Sequence, residues 1–168
     1  MEKLIVVFLL LPFLHFSLSQ SRAEPVGSQI RVVGSVYCDI CSNNTFSTHS
    51  YFIPGAEVKV ECKLRATAER TTEEITLSVN RRTNKLGMYQ MVITGVDGID
   101  CSKERAVVSL CRATLLRTAP SSGKCNVPGL NTTSDVVYFK SSEQNVCIYG
   151  LGALNFRPSR VNKALCGK

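Results

Sequence analysis

From Ala56 to Leu64 the chain alternates without a break: Ala56, Val58, Val60, Cys62 and Leu64 are apolar, and the intervening Glu57, Lys59, Glu61 and Lys63 are charged. A period of two predicts a strand with one face buried and one in water, and it turns the Cys62 side chain inward. A strand over residues 30–37 precedes it. Another covers 75–79, where Ile75, Leu77 and Val79 alternate with Thr76 and Ser78. Residues 81–86 read as a polar hairpin link, after which 87–94 returns beside the preceding strand and ends in the turn Gly95-Val96-Asp97-Gly98. Further strand-like runs span 106–116, 136–139 and 146–149. Residues 67–74 tolerate helix but carry no apolar stripe, so they read as a loop or single turn. The pattern predicts an all-β fold, an antiparallel β-sandwich or closed barrel of about seven strands stapled by disulfides.

The first residues do not share this period. Met1-Glu2-Lys3 is followed by an apolar run from Leu4 to Leu18 and then by small and polar residues, the layout of a secretory signal peptide. Ser17 and Ser19 favour cleavage before Gln20, so that 1–19 is the leader, and Ser21-Arg22-Ala23 offers an alternative before Glu24. At about 15 residues the run is short for a membrane span, and no second run of roughly 18 follows it, so no membrane insertion is expected. The final Ala164-Leu165-Cys166-Gly167-Lys168 is neither a retention signal nor the tail of a lipid-anchor signal. The expectation is a secreted protein whose residues 20–168 form one domain.

Eight cysteines follow the leader. An even number in an oxidising compartment predicts disulfides and no free thiol, although eight cysteines allow about 105 connectivities. Cys38-Asp39-Ile40-Cys41 has the spacing of a redox pair but lacks the setting, because the polar Ser42-Asn43-Asn44-Thr45 follows it where a helix would be needed. Zinc would need a second Cys-x-x-Cys or a His pair, and the chain has neither. Asp97-Gly98-Ile99-Asp100 lacks the ligand series of a calcium loop. No metal or cofactor is expected.

The formal charge of +7 draws the chain toward polyanions. The basic residues are dispersed rather than grouped with aromatics, which argues against nucleic acid and, outside the cell, toward acidic polysaccharide. Catalysis finds little to work with. His49 is the one histidine beyond the leader, where His15 lies, and no Gly-x-Ser-x-Gly elbow presents a serine. A hydrolase built on two carboxylates would draw on Glu73, Glu74, Asp97, Asp100 or Glu104, but Glu73-Glu74 adjoins a strand start and Asp97-Gly98 reads as a turn. No enzyme is expected. Asn43-Asn44-Thr45 and Asn131-Thr132-Thr133 are glycosylation sequons, and the longer loop assigned to Asn131 makes it the readier acceptor.

Gly34-Ser35-Val36-Tyr37-Cys38-Asp39-Ile40-Cys41 closely resembles the signature of the Ole e I-like family, secreted plant proteins related to the olive pollen major allergen. The resemblance continues through the strand ending at Cys62, Lys85-Leu86-Gly87-Met88-Tyr89, Ser109-Leu110-Cys111, Gly123-Lys124-Cys125-Asn126-Val127-Pro128 and Phe156-Arg157-Pro158. Val33 and Ser42 depart from the residues usual at the motif's flanks, and Cys101 and Cys147 exceed the family's usual cysteine set. The resemblance implies a secreted, disulfide-stapled, often N-glycosylated β-barrel or sandwich of a class with no established enzymatic activity, associated with pollen, pollen-tube growth and the cell wall; the chain is expected to be a monomer. It implies pairing of Cys38 with Cys125, Cys41 with Cys166 and Cys62 with Cys111, leaving Cys101 and Cys147 to pair by exclusion. The function expected on this basis is binding of acidic wall polysaccharide or a cell-surface receptor. A secreted carboxylate-dependent hydrolase and a purely structural wall component are the alternatives.

Overall fold

The computed structural model describes residues 28–66, 74–96, 101, 107–118, 123–143 and 145–167. The expected leader with both cleavage positions, residues 67–73 of the expected loop, Asp97 and Gly98 of the expected turn, and Glu73, Asp100 and Glu104 lie outside the described residues.

In chain order the strands are β1 Ser28–Cys38, β2 Tyr51–Phe52, β3 Glu57–Ala66, β4 Glu74–Arg82 and β5 Met88–Val96. They continue as β6 Val107–Arg117, β7 Cys125–Pro128, β8 Tyr138–Glu143, β9 Val146–Gly150 and β10 Leu154–Pro158, and a four-residue helix, α1 Lys163–Cys166, follows. That makes ten strands among the described residues where about seven were expected. The additional ones, β2, β7 and β10, have 2, 4 and 5 residues, too few for a period to declare itself.

The strands form two sheets and do not close into a barrel. The smaller has the order β4-β3-β6, antiparallel throughout, with the alternating strand of the sequence at its centre. Val58, Val60, Cys62 and Leu64 are buried, and the charged positions face out. Cys62 lies directly opposite Cys111 of β6, so their bridge crosses adjacent strands on the core face.

The larger sheet is organised by β1, which has four partners. Residues 28–35 run antiparallel to β5, and 29–33 run parallel to β9. Beyond that point Tyr37 and Cys38 pair with β2, and 36–38 run parallel to β10, which carries β7 on its far side. The change of neighbours occurs at Val36, whose N–H donates to Gly87 O and whose carbonyl accepts from Ile53 N, both at 2.9 Å. The sheet is therefore mixed, not antiparallel. Parallel pairing requires long connections, and β9 and β10 reach β1 only after most of the chain has intervened.

β5 does not return beside β4 as the hairpin reading held; it pairs with β1 in the other sheet. The link explains the change. Thr83 is buried, its hydroxyl donates to Ile53 O at 2.6 Å and accepts from Ala56 N at 2.9 Å, and this anchors the chain between the layers. The Asn84 side chain then accepts from Leu86 N and Met88 N, and Gly87 takes a left-handed φ of 68°. A β-carbon at Gly87 would meet Phe52 Cβ at 2.6 Å and Val36 O at 2.8 Å, so glycine suits this crossing on two counts.

The core lies between the sheets, with Ile30, Val32, Val36, Met91, Tyr149, Leu154 and Phe156 from one and Val58, Val60, Leu64 and Ala113 from the other. Fully burying an aliphatic side chain is worth about 1.5–3 kcal/mol, so this layer dominates stability. No described helix is long and apolar enough to cross a membrane.

Candidate functional site

The Cys-Asp-Ile-Cys segment leaves β1 and is divided between two bridges. Cys38 joins Cys125 at the start of β7, and Cys41 joins Cys166 at the end of α1. The two cysteines are thus staples to separate parts of the chain and do not form a redox pair with each other. Cys101 joins Cys147 of β9, and there is no free cysteine among the described residues.

Between these staples, residues 39–50 fold over the outer face of the large sheet. Asp39 is buried; its N–H donates to Phe156 O at 2.7 Å, and its Oδ2 accepts from Asn44 N at 2.6 Å. Ser42 and Asn44 adopt left-handed φ values of 54° and 60°, which curl the loop around that carboxylate. Buried Asn155 completes the support. Its Oδ1 accepts from Leu130 N at 2.9 Å, and its Nδ2 donates to the Tyr37 hydroxyl at 3.1 Å and to Asn44 Oδ1 at 3.3 Å. The signature residues Tyr37 and Asp39 therefore serve the loop's shape rather than reaching solvent.

What the loop presents is Phe46. Its ring is 53% exposed and lies 5.3 Å from Tyr37 and 5.0 Å from Phe52, which is 45% exposed. Tyr51, the preceding residue of β2, is exposed as well. Scattered surface apolar residues are ordinary, whereas contiguous aromatics held on a stapled loop mark an interaction surface. Phe52, at the end of this aromatic ledge, abuts Gly87. The next residue, Met88, lines a cleft of about 570 Å³ together with Val33, Arg81, Arg82, Asn84, Tyr89, Gln90 and Val92.

The cations near the cleft are not equivalent. Arg82 and Arg117 both donate to the Glu57 carboxylate, at 2.6 and 2.9 Å, and these hydrogen bonds hold the Glu57 carboxyl below its ordinary range. Arg81 uses Nε and Nη1 on the carbonyls of Gln90 and Asn80, and no described carboxylate pairs with it. Its positive charge is left for the cleft. Asp135 is likewise held low by hydrogen bonds from Arg112.

Of the other residues singled out from sequence, Glu74 opens β4 and is exposed, the other candidate carboxylates lying outside the described residues, and His49 is exposed in the loop. Asn43 is exposed, and its Oδ1 accepts from Thr45 Oγ1 at 2.7 Å and Thr45 N at 3.2 Å. Asn131 is exposed too, but its segment is laced onto β6 instead of forming a free loop. Asn131 O accepts from Leu115 N, and the buried Thr133 hydroxyl accepts from Ala113 N at 3.0 Å. Phe46, Phe52 and Arg81 were not singled out from sequence. The available signal was the short apolar run Tyr51-Phe52-Ile53 between Ser50 and the turn residues Pro54-Gly55, too short for a strand period to account for it.

No protein-family model matches the chain. A stretch of 67 residues is 39% identical to a pollen-specific protein-like protein of Arabidopsis thaliana, covering 40% of this chain and 36% of that protein. A stretch of 70 residues is 36% identical to the major pollen allergen Lig v 1 of Ligustrum vulgare, covering 42% and 45%. The matching part of the chain thus spans less than half the length of these relatives. The crystal structure of the major plantain pollen allergen Pla l 1 superposes with a TM-score of 0.50 over 80% of this chain and 98% of that one, at 20% identity, a likeness of fold. Its relatives in sequence, and the solved structure whose fold it shares, are pollen proteins, consistent with the Ole e I-like family whose signature residues 34–41 resemble.

Proposed function

We propose that the protein is secreted and acts without catalysis in the extracellular space or cell wall, binding acidic wall polysaccharide through the aromatic ledge and its adjoining cleft. The reading rests on one observation: the exposed Phe46 and Phe52 rings lie against each other, and the cleft lined by Met88, next in sequence to the Gly87 that Phe52 abuts, is edged by Arg81, a guanidinium with no described acidic partner. Aromatic faces offer flat apolar area for the C–H faces of sugar rings, and the Arg81 guanidinium, with Nη2 not engaged on a described carbonyl, offers a charged donor to a uronate carboxylate. The net charge of +7 adds long-range attraction.

Calorimetry with de-esterified oligogalacturonides tests it. Binding should weaken steeply as salt rises, and Arg81→Ala should flatten that dependence while Phe46→Ala with Phe52→Ala weakens binding at every salt concentration. Equal affinity for neutral and acidic oligomers, or none for either, would overturn the proposal. Turnover of the oligomer would instead favour the hydrolase alternative.

A further inference from the structure

The registers of the large sheet set four residues in one row across its outer face. Val33 of β1 lies opposite Gln90 of β5 on one side and Gly150 of β9 on the other, and Gly150 in turn lies opposite Tyr138 of β8. Directly opposed residues share a face, and neighbouring strands are about 4.8 Å apart, so the row runs roughly 14 Å from Gln90 to Tyr138. One end belongs to the cleft: Gln90 and Val33 line it, and Arg81 Nε donates to Gln90 O at 3.1 Å. The other end carries Tyr138, which is 56% exposed. Phe139, the next residue, turns to the core and packs edge-on against Tyr149, which fixes the outward direction of Tyr138.

The middle of the row is occupied by a lysine lying on a glycine. A β-carbon on Gly150 would meet Lys140 Cε at 2.5 Å and Cγ at 3.4 Å, so the Lys140 methylenes lie where a side chain would stand. β8 shifts register between Phe139 and Ser141, which leaves Lys140 to lean across β9. A stem held against the sheet keeps its ammonium in water with less rotamer freedom to lose on binding. Lys140 is exposed, and no described carboxylate pairs with it. Glu143, the acid of β8, lies opposite Val146, which stands beside Gln29 and so about 13 Å along β1 from Val33. Two cations thus serve the row, Arg81 at Gln90 and Lys140 at Gly150, with half-buried Val33 between them. That spacing of charge and apolar floor suits a polymer with a carboxylate on every sugar. On the polysaccharide reading of the cleft, we infer that the bound chain continues across β1 and β9 to a second subsite, where Lys140 meets a further uronate and the Tyr138 ring packs on a sugar face. A short oligomer reaches one cation and a longer one both.

Amide chemical-shift titration of the full mature chain with de-esterified digalacturonate and hexagalacturonate tests this. The dimer should shift residues of the cleft, and the hexamer should in addition shift residues 138–140 and 150. Lys140→Gln with Tyr138→Ala should lower hexamer affinity about tenfold, the combined worth of an exposed ion pair and a ring contact, and should leave dimer affinity and circular dichroism as in the parent. Arg81→Ala should weaken binding of both. A hexamer that leaves residues 138–140 unshifted, or a double variant that binds it as tightly as the parent, would overturn the second subsite while the cleft reading stands. A parent that binds neither oligomer would overturn the two together.

Discussion

Tyr89 of β5 occupies the space that a side chain on Gly34 of β1 would need. The two residues are cross-strand partners, and a β-carbon built on Gly34 falls within the Tyr89 ring and hydroxyl. Gly34 opens the signature motif, so its lack of a side chain is what lets an aromatic ring lie flat across the central strand. Gly34→Ala should therefore cost about 1–3 kcal/mol through overpacking, read as a lowered denaturant midpoint. The Tyr89 hydroxyl is buried without a hydrogen-bond partner among the described residues, so Tyr89→Phe should be neutral or slightly stabilising. An alanine variant as stable as the parent would refute the steric account.

Asn155 ties three parts of the chain to one side chain: Tyr37, Leu130 and the loop residue Asn44. Asn155→Leu removes those bonds and strands the Leu130 N–H. A loss of about 2–3 kcal/mol is expected, with faster amide exchange in residues 39–50. Unchanged exchange in that loop would show that the cysteines alone hold it.

The Cys62–Cys111 bridge closes a span of 49 residues. In the chain-entropy model its removal costs about 4 kcal/mol, a large share of a small domain's stability. The double variant Cys62→Ala with Cys111→Ala should fold poorly and melt well below the parent. Melting within a degree or two would contradict this.

Acid should weaken the fold through Glu57. Its carboxyl titrates lower in the folded chain than unfolded because Arg82 and Arg117 donate to it. Its stabilisation is therefore present above the ordinary carboxylate range and is lost as pH falls through the folded value. Comparing the parent with Glu57→Gln, the difference in urea midpoint should be evident at neutral pH and vanish in acid, and a difference that persists in acid would assign the effect to packing.

Alternation from Ala56 to Leu64 determined by itself that this segment is a strand, which face is buried and that Cys62 points inward. Those are local consequences of a two-residue repeat, readable without knowing any neighbour. Strand partners were not readable in the same way, because a ladder contributes comparable backbone hydrogen bonds whichever strand supplies them. The link after Arg82 illustrates this: its polarity announced a turn, but only the anchoring of Thr83 between Ile53 and Ala56, with the fit of Tyr89 over Gly34, sent β5 to the other sheet. The candidate site belongs to the same class. Arg81 lies far along the chain from Phe46 and Phe52, and the three carry no shared motif; the two rings meet only when the stapled loop folds over β1, and Arg81 reaches the cleft only when the chain crosses between layers at Gly87. Periodicity records what each residue faces, whereas the free energy that selects its neighbours comes from packing between segments and exists only in the assembled chain.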